Sequence, residues 1–252
     1  MLVLYTGSIT FVFIVTFVAT KLWRRLRRRS YKVPAYDVSK GHRWHMMDIF
    51  PQPTYCNISE RHILSGAVCD CCGICVDDYY IKEANKKLKC KELASRSDLQ
   101  AHHWIKGNLP LCSICYVCNE QCGVLPQLCD FHCLWCRRTV HEKCQHNDDS
   151  MCDLGKYKSY IIPPNCVSLK LTGIKGRRRF IVDSVRHPGF PDWKPLIVIA
   201  NRKSGNGGDA ESVLQSFRRI LNPAQVFFNS NLLQPNNFTN MHSQVVVLVS
   251  GN

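Results

Sequence analysis

The placement of the cysteines limits what this chain can fold into more than any other feature. Fifteen of its sixteen cysteines lie between Cys56 and Cys152, and only Cys166 follows. The clearer run reads His102-x12-Cys115-x2-Cys118-x14-Cys133-x2-Cys136-x4-His141-x2-Cys144-x7-Cys152. Zinc takes four tetrahedral nitrogen or sulfur ligands, and a Cys-x2-Cys knuckle supplies two of them from one tight turn. Six Cys and two His therefore close two sites with no open position, as expected of structural rather than catalytic metal. A segment this short buries too little apolar surface to fold unaided, so metal binding is expected to supply much of its folding free energy.

An earlier run repeats the pattern about 60 residues upstream. It reads His42-x13-Cys56-x2-Ser59-x9-Cys69-x2-Cys72-x4-Asp77-x2-Tyr80-x9-Cys90 and opens with His42-Arg43-Trp44, as the later copy opens with His102-His103-Trp104. The first copy has Ser59, Asp77 and Tyr80 in place of metal ligands. A hydroxyl and a phenol are poor zinc ligands at neutral pH, so three zinc ions are expected in all. Cys56 and Asp77 are doubtful ligands, with Cys71 or Cys75 as substitutes.

Disulfides are the competing use of clustered cysteines, and the N-terminus bears on the choice. Residues 1–20 carry no charge, and the apolar run is long enough at about 1.5 Å per residue to cross a hydrocarbon core of about 30 Å. Lys21, Arg24, Arg25, Arg27, Arg28, Arg29 and Lys32 follow directly, with no acid among them. That flank is expected to stay cytosolic and to attract anionic headgroups. A cleaved signal peptide has the reverse order of charge and apolar run. A spanning anchor and a re-entrant one both remain open, because Tyr5, Thr6, Gly7 and Ser8 weaken the outer end. Either way the cysteines face a reducing compartment, where Cys with His indicates zinc. The Asn57-Ile-Ser59 and Asn237-Phe-Thr239 sequons then face away from glycosylation. The net charge of +14 is expected to serve a lipid surface or nucleotide phosphates. It is not expected to serve nucleic acid, because the basic residues flank a bilayer-length segment instead of lining a finger helix.

The ligand order resembles the diacylglycerol/phorbol-ester-type finger of protein kinase C and its relatives; RING, PHD and LIM fingers differ in that order. The resemblance implies interleaved sites: His102, Cys133, Cys136 and Cys152 in one, Cys115, Cys118, His141 and Cys144 in the other. His103 competes with His102 for the first position, and Cys112, Cys122 and Cys129 fall off the pattern. In the first copy it implies one intact site, His42, Cys69, Cys72 and Cys90. Binding members hold diacylglycerol in a groove between two loops. Pro53 and Gly66 stand at that groove's frame, but Ser65 occupies a position usually held by Gln, and the segment from His102 to Pro110 departs from strong binders. Partner docking is expected ahead of high-affinity lipid binding.

Residues 153–194 read as an irregular linker with a basic run from Lys170 to Arg179. Beyond it, Leu196–Ala200 reads as a buried strand, residues 201–209 as a Gly-rich loop, and Val213, Leu214, Phe217, Ile220 and Leu221 as one face of a helix capped by Asp209. Gln225–Phe228 and Val245–Val249 read as further strands, giving the start of an α/β sheet. Pro195-Leu-Ile-Val-Ile-Ala-Asn-Arg-Lys-Ser-Gly205 and Ser216-Phe-x3-Leu-Asn-Pro-x-Gln-Val-Phe227 resemble the opening of the diacylglycerol kinase catalytic domain, with Arg202 replacing a proline. The resemblance implies that Asn201, Ser204, Gly205 and Gly207 line ATP phosphates, with ATP and Mg²⁺ as cofactors and diacylglycerol as substrate. That family carries a Gly-Gly-Asp-Gly-Thr loop after its next strand; here Ser250-Gly251-Asn252 follows, so the catalytic residues are expected to be absent and the chain inactive by itself.

The expected architecture is multi-domain, with small α+β fingers and an incomplete α/β lobe. It has a transmembrane anchor (1–22), a basic linker (23–41), a degenerate finger (42–92), a complete finger (102–152), a linker (153–194) and the beginning of a lipid-kinase-like lobe (195–252). The expected function is a membrane-bound kinase converting diacylglycerol and ATP to phosphatidic acid and ADP, at the endoplasmic reticulum or plasma membrane. A non-catalytic, membrane-tethered tandem-finger adaptor is the alternative.

Overall fold

The computed structural model describes residues 14–20, 42–145, 151–172, 179–200, 207–228 and 244–248. The chain divides into two units, Met1–Lys32 and Val33–Asn252. In the first, residues 14–20 form helix α1, with Ile14, Val15, Phe17 and Val18 exposed. Seven residues rise only about 10 Å, a third of a bilayer core. Among the described residues no helix is long and apolar enough to cross a membrane. The rest of the expected anchor and the basic linker 23–41 lie outside the described residues.

The second unit opens with two copies of one small fold. The first copy pairs β1 (Trp44–Met47), β4 (Gly66–Cys69) and β5 (Cys75–Val76) antiparallel in the order β1-β4-β5. A short hairpin, β2 (Thr54–Tyr55) with β3 (His62–Ile63), and helix α2 (Ile81–Lys87) complete it. The second copy pairs β6 (Trp104–Lys106), β7 (Phe131–Cys133) and β8 (Thr139–Val140) in the same way and adds α3 (Glu142–Gln145). Each strand is only two to four residues long, because tight cysteine turns interrupt the chain before a longer ladder can form. The core of the first copy gathers Trp44, Ala67, Val68, Ile74, Val76, Ile81 and Ala84. Leu134 of the second copy packs into that same cluster.

The stretch 153–194 is not irregular. Leu154, Ile161 and Ile162 are fully buried, and β9 (Val167–Thr172) pairs antiparallel with β10 (Arg179–Val185), with a register shift between Val182 and Ser184. The sequence hid this hairpin because its basic run dominates the middle, while the period-2 alternation Val167, Leu169, Leu171 is short. Beyond it, β11 (Leu196–Ala200) lies parallel to both β12 (Val226–Phe228) and β13 (Gln244–Leu248), in the order β12-β11-β13. Helix α4 (Gly207–Ile220) makes the crossover from β11 to β12 and begins two residues before Asp209.

Buried amides hold the lobe to the preceding segment. Gln225 is fully buried; its Oε1 accepts from the Ile162 N–H at 2.8 Å and its Nε2 donates to the carbonyls of Tyr160 and Leu196, each at 2.8 Å. Trp193 Nε1 donates to the Ile161 carbonyl at 2.8 Å. Side-chain amides satisfied this way cost little on burial and fix one arrangement of the strands around them.

Candidate metal centres

The two fingers position their histidines by the same device. Trp44 lies opposite Cys69 in the β1–β4 register, and Trp104 lies opposite Cys133 in β6–β7. The indoles stack on the histidines two residues earlier, with ring centroids 4.8 Å apart for His42–Trp44 and 4.7 Å for His102–Trp104. His-x-Trp thus locks an imidazole beside the first cysteine of a knuckle.

Three sets of four side chains converge: His42, Cys69, Cys72 and Cys90; His102, Cys133, Cys136 and Cys152; and Cys115, Cys118, His141 and Cys144. Within each set one ligand atom per residue lies within 4.8 Å of the others. Tetrahedral zinc, with bonds of about 2.3 Å to sulfur and about 2.0 Å to nitrogen, sets sulfur–sulfur edges near about 3.8 Å and sulfur–nitrogen edges near about 3.5 Å. Cys69–Cys90 and Cys133–Cys152 show Sγ···Sγ distances of 3.7 and 3.9 Å. The Sγ···Nδ1 distances are 3.3 Å for Cys72–His42, 3.5 Å for Cys136–His102 and 3.2 Å for Cys118–His141. The donor sets therefore fit a tetrahedral dication.

Protonation supports the same fit. His42 Nε2 faces the Leu88 carbonyl at 2.9 Å, and His141 Nε2 faces the Gln121 carbonyl at 3.0 Å. A carbonyl can only accept, so Nε2 carries the proton and Nδ1 keeps its lone pair for the metal. In each set one thiol ionises readily and the next resists. Burial opposes ionisation of Cys115, but the backbone N–H groups of Cys118, His141 and Val117 bring it down to about 6. Burial and the Cys115 and Cys118 thiols push Cys144 up to about 11. Hydrogen bonds from Cys136 and Cys152 hold Cys133 far down, while Cys152 is driven far up by Cys133 and Cys136. One ionised thiol thus holds its neighbours protonated, and a dication among the donors would let them ionise together.

Of the two histidines that open the second copy, His102 converges with the thiols and His103 does not. The first copy's remaining candidates form no set: among the described residues, Cys56 and Asp77 join no group of three or more ligand-type side chains. Asp77 instead caps the 3-10 turn Asp78–Tyr80, its carboxylate accepting from the Tyr79 N–H at 2.9 Å. Cys56 is fully buried beside Cys75 in the apolar core. The turn keeps the knuckle shape all the same, with the Ser59 N–H pointing at Cys56 Sγ at 3.4 Å.

Cys122, off the ligand pattern, lies with Asp130 and His141 in a fourth group. Spacing alone gave no sign of it. Asp130 is already used there, its two carboxylate oxygens accepting from the N–H groups of Gly123 and Glu142 at 2.8 and 3.2 Å. Asn201, Ser204 and Gly205 lie outside the described residues, and Gly207 is the first residue of α4.

The two fingers meet at an amide. Asn108 Oδ1 accepts from the Tyr55 N–H at 2.9 Å and Asn108 Nδ2 donates to the Tyr55 carbonyl at 2.8 Å, while Asn57 Nδ2 donates to the Lys106 carbonyl at 2.8 Å. Beside this contact lies a cleft of about 310 Å³, walled by Gln52, Pro53 and Tyr55 of the first finger and by residues 108–112 and 121–127 of the second. Among the described residues no charged side chain lines it. Leu111, Val124 and Leu125 at its rim are more than half exposed.

No protein-family model matches the chain. Diacylglycerol kinase eta of Drosophila ananassae is 33% identical over 222 residues, covering 81% of this chain and 11% of the relative. Diacylglycerol kinase eta of Drosophila melanogaster is 32% identical over 221 residues, with the same coverage of 81% and 11%. Diacylglycerol kinase kappa of Homo sapiens is 31% identical over 222 residues, covering 78% of this chain and 16% of the relative. The chain thus spans only 11% to 16% of the length of these relatives. Over about four fifths of its own length, it is similar to a segment of diacylglycerol kinases.

Proposed function

We propose that this chain belongs to the diacylglycerol kinase family and forms its zinc-finger region together with the opening of the catalytic lobe. The observation that carries this reading is the similarity over 81% of the chain to relatives bearing that name. The three convergent Cys/His sets support structural zinc in the fingers, held by His42, Cys69, Cys72 and Cys90, by His102, Cys133, Cys136 and Cys152, and by Cys115, Cys118, His141 and Cys144. Zinc supplies folding free energy there and takes no part in phosphoryl transfer, since four protein ligands leave no open position.

In the whole protein the reaction is transfer of the ATP γ-phosphoryl group to the free hydroxyl of diacylglycerol, giving phosphatidic acid and ADP, with Asn201, Ser204, Gly205 and Gly207 near the phosphates. The uncharged cleft suits a neutral amphiphile better than a phosphate, and its apolar rim suits acyl chains. The apolar N-terminal run and the seven basic residues after it support a membrane anchor with the fingers on the cytosolic side. The order of anchor, basic stretch, two fingers and lobe resembles diacylglycerol kinase epsilon.

The test is a radiolabelled ATP assay on the full-length protein containing this segment, with diacylglycerol vesicles. Labelled phosphatidic acid is the expected product. A protein that holds three zinc ions yet yields no labelled lipid would overturn the kinase reading and favour the tethered adaptor.

A further inference from the structure

The C-terminal turn of α4 carries carbonyls that need donors from outside the helix. Lys91 supplies them. Its Nζ donates to the carbonyls of Arg219, Ile220 and Leu221 at 3.0, 3.2 and 2.8 Å, using all three ammonium hydrogens. The ammonium also lies 4.3 Å from the ring centre of Trp135, and the residue is only 4% exposed. Lys91 directly follows Cys90, the last member of the first finger's intact set. A second contact reaches the same set from the other side. Arg218 of α4 lies 3.8 Å from the Asp70 carboxylate, and both side chains are buried. Asp70 stands inside the knuckle, between Cys69 and Cys72, and is also paired with Arg43 at 3.1 Å. Just past the helix, Asn222 Nδ2 donates to the Leu93 carbonyl at 2.9 Å. Between α2 and β6 no regular structure holds residues 88–93; they are tied by Cys90, by His42 facing the Leu88 carbonyl, and by these contacts to α4.

We propose that Lys91 and Arg218 latch the last turn of α4 to the His42–Cys69–Cys72–Cys90 cluster, so that metal binding there and the packing of α4 are thermodynamically linked. A metal held by Cys69, Cys72 and Cys90 fixes the backbone one residue from each latch point. Losing it frees Asp70 and Lys91 together, and α4 opens at its C-terminal end first. The link is reciprocal: whatever factor the metal contributes to α4 protection, an intact latch contributes to metal affinity. This inference goes beyond the kinase reading, because it requires no catalysis.

The experiment uses the zinc-loaded full chain and two readouts. Hydrogen exchange reports on residues 212–225. Alkylation of Cys69, Cys72 and Cys90 during chelator challenge reports how tightly the first cluster holds its metal. Lys91→Met, which keeps the shape of the side chain, is expected to retain three zinc ions and to speed exchange in 212–225 by about fivefold or more. It should weaken retention at the first cluster by a similar factor and leave the other two clusters unchanged. Cys72→Ser is expected to lose one zinc and speed the same exchange. Faster α4 exchange in Lys91→Met with unchanged retention at the first cluster reduces Lys91 to a helix cap and overturns the linkage. So does unchanged exchange in either folded variant. Should Cys72→Ser fail to fold, the paired readouts on Lys91→Met decide alone.

Discussion

At Asn108 a single amide does the work of a strand edge. Both amide atoms bond the backbone of Tyr55, from a left-handed conformation with φ of 48° that asparagine tolerates better than most residues. Asn108→Ala leaves the Tyr55 N–H and carbonyl without these partners and is expected to destabilise the zinc-loaded protein by about 1–3 kcal/mol, read as a lower urea midpoint. Gly155 is fixed by sterics: at φ of 63°, a Cβ would lie 2.5 Å from the carbonyl oxygen of Cys136. Gly155→Ala therefore strains the backbone of a metal-set residue. Its expected cost is about 1–3 kcal/mol, with earlier zinc loss on heating. Among the cysteines outside the sets, Cys112 is exposed, whereas burial pushes Cys75 up to about 12. Since the thiolate is the reactive form, iodoacetamide at pH 8 should label Cys112 well before Cys75; the reverse order, read by mass spectrometry, would contradict the packing of the first finger.

The finger is the unit at the next scale. Two copies share one register and one His–Trp stack, yet among the described residues one gathers two sets of four ligand-type side chains and the other gathers one. The replacement is an apolar core around Cys56, helped by a capped turn at Asp77 and by Asn57, whose Oδ1 accepts from the Cys75 N–H at 2.9 Å. Elemental analysis of the full chain is expected to give three zinc ions. Because the Cys56–Ser59 turn keeps its knuckle geometry, replacing Ser59, Asp77 and Tyr80 by Cys, His and Cys together should raise that number to four. A stoichiometry that stays at three would mean that the copy has lost the geometry as well as the ligands.

For the whole molecule, the second unit behaves as fingers and lobe in one body. Leu154 and Ile161 share a buried cluster with Trp135 of the second finger and with Val198, Leu214 and Leu221 of the lobe. Chelation should therefore expose lobe residues as well as finger residues to protease. Residues 1–32 form the other unit, and the membrane attachment proposed above would rest on them. If the apolar run anchors the protein, alkaline carbonate should leave it in the membrane pellet; release into the supernatant would rule out an integral anchor.

Spacing made the fingers legible, because zinc demands a fixed donor type, number and separation, and those demands are written directly into the order of Cys and His. The strand–helix–strand opening of the lobe was legible for a similar reason: a continuous apolar run and a 3.6-residue period have few other meanings. The hairpin of 167–185 was not, since a short alternation beside a basic run gives too little signal. Nor were the uses of Lys91, Asn108, Asp70 and Gln225. Each of these polar side chains finds its partner tens of residues or more away along the chain, and only the folded arrangement decides which carbonyl, amide or carboxylate a buried polar group will meet.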